Sequence, residues 1–175
     1  MLSTARLNLR PLTTADVDAL VALHADARVN RFVPAFSPTQ ARERLERVEA
    51  QWAERGHGLC AVELRDTGEF IGRCGLNHWP EFDEVEAGWT LAPRHWGHGY
   101  ATEAARACVD WGFDTLDVDY LTAMIHPENE PSARVAHRLG FAPRRQDTLF
   151  GKPITVYALD RPPAPNHPTG GGERR

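Results

Sequence analysis

The fold is decided by one stretch, which reads Val85-Glu-Ala-Gly-Trp-Thr-Leu91, then Ala92-Pro-Arg-His95, then Trp96-Gly-His-Gly-Tyr-Ala-Thr-Glu-Ala-Ala-Arg-Ala-Cys-Val-Asp-Trp-Gly-Phe113. Its first part predicts a buried strand, because apolar side chains recur at every second position and Trp and Val suit a pleated surface. Pro93 ends the strand. From Tyr100 the period changes to that of a helix with small residues on one face. Such a face lets the helix lie close against a sheet.

The loop between this strand and helix reads Arg94-His-Trp-Gly-His-Gly99. Two glycines at this spacing let the backbone turn sharply and point its N–H groups into one concavity. The helix that follows adds unpaired donors and the positive end of its dipole. A lone Gly-x-Gly is more often a plain turn, so the prediction of a diphosphate site depends on the strand before it and the helix after it.

Two other phosphate-binding motifs fail on spacing. A dinucleotide-binding fingerprint needs the strand to run straight into Gly-x-Gly-x-x-Gly, but here residues 92–96 intervene and Thr102 takes the third glycine position. A P-loop needs Gly-Lys-Ser/Thr, and the only lysine of the chain is Lys152. Neither motif explains the loop.

The loop resembles the Arg/Gln-x-x-Gly-x-Gly/Ala signature of the GNAT acetyltransferases, whose loop amides hold the pyrophosphate of acetyl-CoA. The longer string Gly-Trp-x-Leu-x-x-x-x-Trp-Gly-x-Gly-Tyr-Ala-Thr-Glu-Ala, from Gly88 on, resembles the RimJ/RimL-like branch, as does the opening Thr4-Ala-Arg-Leu-Asn-Leu-Arg-Pro-Leu-Thr13. Asn129-Glu-Pro-Ser132 matches the Asn-x-x-Ser element after the family's fifth strand. The resemblance covers about residues 5–160.

This resemblance implies an α/β (α+β) fold with a mixed, mostly antiparallel sheet of about seven strands and about four helices. The fourth and fifth strands splay apart, and acetyl-CoA enters the gap as co-substrate. We expect Gly88 to form a bulge that tilts the first of these strands. Residues 1–160 are expected to form one domain. Residues 161–175, rich in Pro and Gly, are expected to be a disordered tail.

The resemblance also implies which residues hold the cofactor. The amide and carbonyl near Leu91 and the side chain of Asn129 would bond the pantetheine arm, and the loop with the first helical turn would bind the diphosphate. The cofactor-binding residues are therefore Leu91, Arg94, His95, Trp96, Gly97, His98, Gly99, Tyr100, Ala101, Thr102 and Asn129.

The implied reaction, acetyl transfer from a thioester to an amine, needs an unprotonated amine. A free α-amino group has a pKa of ~7.7–8.0, so a modest base or water suffices, whereas a lysine amine near ~10.4 needs stronger help. Glu86 on the cleft strand is the first candidate for the base, and its alternative role is an ion pair with an arginine. His78, His126 and water stay open as other bases.

The leaving thiolate could be protonated by the hydroxyl of Ser132, which begins a helix whose dipole stabilises negative charge. Tyr100 is the weaker alternative acid, because the residue that begins the phosphate-binding helix can point away from the sulfur. No Cys or Ser has a base motif beside it, so no covalent nucleophile is expected.

Composition narrows the function further. The formal net charge of −4 argues against a non-specific nucleic-acid binder. Cys60, Cys74 and Cys108 lack the spacing of a disulfide framework or a zinc site, so no metal is expected. No run approaches the ~20 apolar residues of a membrane span, so no membrane contact is expected and cytoplasm is the default location.

Three classes of function stay open at this level: an acetyl-CoA-dependent N-acetyltransferase, a GNAT-shaped module that holds acyl-CoA without turnover, and an unrelated nucleotide-phosphate binder. The acceptor is not determined, since the family resemblance permits protein N-termini, polyamines, antibiotics and amino acids. Two segments would choose among them, residues 28–37 and 77–83. In the first, Phe32 and Phe36 either wall the substrate or pack on the core. A homodimer is expected from the family alone.

Overall fold

The computed structural model describes residues 1–163. Eight strands form a single sheet in the order β1-β2-β3-β4-β5-β6-β8-β7, in which only β5 and β6 pair in parallel. The expected mixed, mostly antiparallel sheet is confirmed, with the two-residue β1 and the β7–β8 hairpin extending its edges. The strands are β1 (Leu2–Ser3), β2 (Leu7–Pro11), β3 (Leu59–Leu64), β4 (Phe70–Trp79), β5 (Glu84–Leu91), β6 (Tyr120–Ile125), β7 (Ala142–Leu149) and β8 (Lys152–Asp160).

Five α-helices and two short 3-10 turns complete the described chain. One turn, Thr14–Asp16, precedes α1, and the other, Pro93–His95, follows β5. The fifth helix beyond the expected four is the single turn α2. The helices are α1 (Val17–Ala25), α2 (Ala27–Asn30), α3 (Pro38–Arg55), α4 (Tyr100–Thr115) and α5 (Glu130–Leu139).

Local chemistry fixes the ends of the helices that border the site. Ser37 and Gln40 form a reciprocal capping box at the start of α3, with Pro38 in the first turn. Gly56 ends α3 with φ 70°, a left-handed conformation that favours glycine. Asn129 caps α5 by accepting a hydrogen bond from the Ser132 N–H. These caps set where α3 and α5 meet the sheet.

Helices cover both faces of the sheet. The small face of α4, as expected, packs against the first face, where Ala104 and Ala105 are fully buried. On the second face, α1 and α3 enclose a smaller core around Leu20 and Leu45. Because successive strand residues alternate between faces, Glu86 and Arg73 lie on the α1–α3 side while their neighbours fill the α4 core.

The strands β5 and β6 make a single bridge, between Glu86 and Thr122, and then diverge. They are the strands that the family counts as its fourth and fifth, so the expected splay is confirmed. Because both strands run in the same direction, the gap opens towards Leu91 and Ile125 at their carboxyl ends.

The bulge expected at Gly88 is absent. The register of β4 and β5 is unbroken from Gly72–Leu91 to Trp79–Glu84, and Gly88 lies regularly opposite Gly75. The splay therefore arises where β6 leaves the sheet. The nearest register shift lies between β3 and β4 beside Gly72, which has φ 155°.

Two segment boundaries differ from expectation. β4 continues to Trp79, so only Pro80–Asp83 of the acceptor-side segment 77–83 leaves the sheet. Arg161, counted in the tail, belongs to the folded domain, because its side chain donates hydrogen bonds to the carbonyls of Phe113, Leu116 and Val118. Residues 164–175 of the expected tail lie outside the described residues.

Within residues 1–163, no helix is both long and apolar enough to cross a membrane.

Gly75→Ala should destabilise the fold, because a Cβ at Gly75 would lie 2.3 Å from the Gly58 carbonyl oxygen and 2.7 Å from the Leu59 Cα. Both atoms are backbone, so the free energy of unfolding should fall by about 1–3 kcal/mol. Urea denaturation measures this change. The matched control is Gly88→Ala on the paired strand, where the nearest atom is 3.9 Å from the new Cβ. Equal stability of the two variants would contradict the close approach of β3 and β4.

Candidate active site

The glycine loop presents a set of free amides. Gly97 and Gly99 adopt left-handed conformations, with φ of 79° and 78°, which turn the chain into α4. The N–H groups of His95 and Trp96 are occupied, since they donate to the carbonyls of Ala92 and Pro93. Among residues 1–163, no hydrogen bond from the next six amides is observed, those of Gly97, His98, Gly99, Tyr100, Ala101 and Thr102. Amides across residues 94–102 were expected to bind the diphosphate. The free ones begin at Gly97.

The N-terminal segment holds the loop in place. The guanidinium of Arg6 donates to the carbonyl of His98 (2.9 Å) and forms an ion pair with Glu103 in the first turn of α4 (2.6 Å). Glu103 also accepts from the hydroxyl of Thr4 (2.6 Å) and from the Arg6 amide. These bonds anchor the residue between the two glycines and the first turn of α4 to the chain before β2.

The loop side chains are bonded mainly to protein. Arg94 and His95 both contact Glu69, which lowers the pKa of that carboxyl. The indole of Trp96 donates to the carbonyl of Leu91 (2.8 Å), so one of the two lone pairs of this carbonyl is already occupied. A ligand anion here would meet amides more than side chains.

Tyr100 faces the N-terminal segment. Its ring stacks on His98 at 5.6 Å, and the Arg6 guanidinium lies 4.5 Å from the ring centre. Within the described chain, Tyr100 does not line the cavity that contains Glu86 and Ser132. The position disfavours Tyr100 as an acid near a reacting sulfur.

The diverging strands leave main-chain groups unpaired. In β5, alternate residues direct their N–H and C=O groups to opposite sides. The N–H of Ala92 donates to the carbonyl of Ile71 beside β4, whereas the carbonyl of Val85 accepts from the side-chain hydroxyl of Thr122 in β6. By this alternation the groups of Ala87, Trp89 and Leu91 face β6, and those of Trp89 and Leu91 lie beyond the single bridge. Because β6 has diverged at that level, an extended amide-bearing ligand could bond to β5 as a strand would.

An open cavity of about 550 Å³ continues from this gap onto the α1–α3 side. Its walls come from β4, β5, β6, the start of α5, the segment that follows α2, the helices α1 and α3, and the β7–β8 hairpin. Phe32 and Phe36, the two aromatic residues expected as a substrate wall, both line it. Glu86, Asn129 and Ser132 lie in the same lining. The structure thus brings the two proposed catalytic residues and one proposed cofactor residue to a single cavity.

Glu86 is held by two hydrogen bonds. Its Oε2 accepts from the indole of Trp79 (2.5 Å) and its Oε1 from the N–H of Met124 (3.4 Å). The side chain keeps some accessible area because it faces the cavity, but protein encloses it. This burial raises the pKa of the Glu86 carboxyl, while Trp79 and Arg73 act in the opposite direction. No arginine of residues 1–163 pairs with Glu86 within 4.0 Å, so the ion-pair role is not observed.

Ser132 lies in the first turn of α5. Its N–H donates to the side-chain oxygen of Asn129 (3.3 Å), the cap of that helix. The cap occupies the amide oxygen of Asn129 and leaves its NH₂ group for a ligand carbonyl. The dipole of α5 favours negative charge at this end. The arrangement suits an anionic leaving group.

The two histidines kept open as bases lie in different places. His126 lines the cavity beside Phe32, and its Nδ1 accepts from the N–H of Glu128. His78 lies opposite Val85, on the α4 side of the sheet, with Asp83 3.4 Å away. It is not part of the described cavity lining. The geometry therefore favours Glu86 and His126 over His78.

The sequence analysis missed a polar group on the cavity wall. His24, fully buried in α1, donates from Nδ1 to the carbonyl of Pro34 (2.8 Å), and its Nε2 accepts from Arg73 Nε (3.4 Å). Arg44 of α3 lies in the same lining. The signal for Arg73 was an arginine between Gly72 and Cys74 in a strand that is otherwise buried.

Residues 6–142 match the family model of the acetyltransferase (GNAT) domain. The chain belongs to this family and is an acetyl-CoA-dependent acyltransferase, as the glycine-loop resemblance predicts. One class left open by the sequence, an unrelated nucleotide-phosphate binder, is thereby set aside.

Individual relatives agree with this assignment. The chain is 31% identical to the uncharacterized N-acetyltransferase p20 of Bacillus licheniformis, over 89% of this chain and 92% of p20. The solved structure of an acetyltransferase from Agrobacterium tumefaciens str. C58 superposes with a TM-score of 0.79 at 38% identity, covering 90% and 92% of the two chains. The fold is also shared with RimL, a ribosomal L7/L12 α-N-protein acetyltransferase whose structure was solved in complex with coenzyme A. The TM-score is 0.76 at 19% identity, and the match covers 90% of this chain and 95% of RimL.

Gly99→Ala should weaken coenzyme A binding roughly tenfold, because a left-handed alanine costs about 1–2 kcal/mol and relaxing it would move the free amides. Titration calorimetry with coenzyme A measures the dissociation constant. The control is Gly56→Ala at the end of α3, which has φ 70° and no atom within 4 Å of the new Cβ. It carries the same backbone strain away from the loop. Equal affinity losses in both variants would show that the effect is general destabilisation.

Proposed function

We propose that the protein is an N-acetyltransferase that moves the acetyl group of acetyl-CoA to a primary amine by direct attack in a ternary complex. The acceptor is a protein N-terminal α-amine or a small-molecule amine. One observation carries the proposal: the cavity lined by Glu86 and Ser132 extends along β5 as far as Thr90, and the chain runs from the end of β5 into the loop with the six free amides, which defines a path for a ligand.

Acetyl-CoA would occupy this path from the surface inwards. Its diphosphate would accept hydrogen bonds from the amides of Gly97–Thr102 at the start of α4. Its pantetheine arm would lie along Trp89 in the gap, with the NH₂ group of Asn129 near one of its carbonyls. The thioester would then reach the cavity beside Ser132.

The acceptor amine attacks the thioester carbonyl carbon, and a C–N bond forms. Glu86 takes the proton that the amine nitrogen must lose, directly or through a water. A carboxyl whose pKa is raised by burial is a stronger base than an exposed glutamate. An α-amine, already partly unprotonated near neutral pH, matches a base of this strength better than a lysine side chain.

The tetrahedral intermediate then expels the coenzyme A thiolate as the C–S bond breaks. The hydroxyl of Ser132 donates its proton to the sulfur and regains one from solvent. The products are the acetylated amine and coenzyme A. The α5 N-terminus stabilises the negative charge while it is on sulfur.

Glu86→Gln should lower kcat/KM for the amine roughly 10²- to 10⁴-fold, the usual contribution of a general base. In the wild type, activity should be lost as the pH falls through the raised pKa of Glu86, because the protonated carboxyl cannot accept the proton. This acidic limb should disappear from the residual activity of the variant. Thiol release from acetyl-CoA across a pH series measures both effects.

The control for Glu86 is Glu81→Gln, an exposed carboxylate in the β4–β5 connection. It should keep the wild-type rate and pH profile. If Glu86→Gln keeps the wild-type kcat/KM, Glu86 is not the base, and His126 or water takes that role.

Ser132→Ala should lower kcat about 10–100-fold, because the thiolate would leave without a positioned proton donor. The KM for acetyl-CoA should stay close to its wild-type value, because the main-chain N–H of residue 132 still donates to the side chain of Asn129. Steady-state kinetics separate the two parameters. Ser3→Ala, an exposed hydroxyl on β1, serves as the control. Unchanged kcat in Ser132→Ala would mean that solvent protonates the sulfur.

A further inference from the structure

We propose that the acceptor amine also carries an acidic group, a carboxylate or a phosphate, which binds the guanidinium groups of Arg73 and Arg44 in the cavity. This inference rests on the proposed function and names the chemical class of its acceptor.

Arg73 is a buried cation with open donors. Only 8% of its surface is exposed. Its Nε donates to His24, but no residue from 1 to 163 accepts a hydrogen bond from its two terminal nitrogens. Every fully enclosed side-chain nitrogen and oxygen of the described chain has a partner, so these two nitrogens reach open space. That space is the cavity, which Arg73 lines.

Arg44 adds a second cation to the same wall. It comes from α3, and its guanidinium lies 5.7 Å from the ring centre of Phe36. Burial lowers the pKa of Arg44, and burial together with the nearby Arg44 charge lowers the pKa of Arg73 to about 10. Both side chains remain cationic at neutral pH. Two like charges held together out of water are costly unless an anion joins them.

The protein supplies too little negative charge to neutralise this wall. The described lining holds four cationic side chains and a single carboxylate, that of Glu86. Glu86 attracts both arginines, but its oxygens are bonded to Trp79 and Met124. The cationic residues of the lining are Arg44, Arg47, Arg73 and Lys152.

His24 fixes the direction of Arg73 without adding charge. Its Nδ1–H donates to Pro34 and its Nε2 accepts from Arg73, which requires the neutral ring. Burial, with the Arg73 charge, lowers the pKa of His24 to about 3, so the ring stays neutral. His24 is a positioning residue that holds the Arg73 guanidinium towards the cavity.

The anion that fits this wall belongs to the acceptor. The diphosphate of the co-substrate is assigned to Gly97–Thr102, none of which lines the described cavity. The thioester end that would reach the cavity is uncharged. A planar guanidinium donates two parallel hydrogen bonds to a carboxylate or phosphate. A polyamine would instead meet four charges of its own sign.

The test compares acceptors that share one amine. Glycyl-aspartate, glycyl-phosphoserine and glycyl-asparagine, all C-terminally amidated, differ only in the second side chain, and spermidine serves as the cationic acceptor. We expect kcat/KM for an acidic peptide to exceed that for the asparagine peptide at least tenfold. The better of the two acidic peptides distinguishes carboxylate from phosphate. An equal or higher kcat/KM for the asparagine peptide or spermidine overturns the proposal.

Substitutions of the two arginines test whether these side chains cause the preference for acidic acceptors. Arg44→Gln should reduce the ratio of acidic to asparagine kcat/KM at least tenfold, whereas Arg42→Gln, exposed on the same helix, should leave the ratio unchanged. Arg73→Lys keeps the charge and should keep part of the preference. An undiminished ratio in Arg44→Gln, with Arg73→Lys also at the wild-type ratio, overturns the assignment of these side chains.

Binding separates this inference from the proposed function. With coenzyme A present, calorimetry compares the N-acetylated aspartate and asparagine peptides, and needs no turnover. Tighter binding of the acidic product supports the anion subsite, whether or not any peptide of the panel is acetylated. If no peptide is acetylated, that result counts against the proposed reaction and not against the subsite. Equal binding, or none, overturns the anion subsite whatever the enzyme acetylates.

Discussion

The structure depends on one interrupted interaction, the parallel pairing of β5 and β6 that consists of the Glu86–Thr122 bridge. A strand that loses its neighbour must expose main-chain groups, and buried main-chain groups demand partners. We propose that a ligand, instead of protein, supplies the missing partner here. The same divergence opens the cavity behind the bridge, so the proposed cofactor and acceptor sites both arise at one place where the sheet does not close. The regular β4–β5 register keeps the rest of the sheet intact around this gap.

Side-chain alternation explains why the chemistry lies on one side of the sheet. Val85 and Ala87 fill the α4 core, and the residue between them, Glu86, is forced onto the opposite face. The same alternation directs Arg73 away from the core that holds Cys74. Each polar residue therefore occupies a position that its apolar neighbours determine. These groups are not fully desolvated, because a cavity remains between them and the helices α1 and α3. The alternation that builds the core therefore also positions the polar side chains of the site.

Much of this could be predicted from the sequence, because the deciding signals are local. The Gly97–Gly99 spacing, the alternation of β5 and the small face of α4 each act within a few residues. What could not be predicted is set by residues far apart in the chain. The occupied amides of His95 and Trp96 depend on the turn at Pro93, and the straight path of β5 at Gly88 depends on its register with β4. The His24–Arg73 contact joins residues 49 positions apart, and neither residue has a local pattern that reveals it.

The anchoring of the loop by Arg6 has a consequence for synthesis and folding. The Arg6–His98 bond spans 92 positions of the chain, so a nascent polypeptide has made its anchor long before it has made the part to be anchored. Contacts of such long sequence separation form late, because the entropy of closing the intervening segment must be overcome first. If the cofactor binds this loop as proposed, its binding requires contact between the earliest and the middle parts of the polypeptide. A ligand added during refolding would then stabilise the molecules in which that contact has formed.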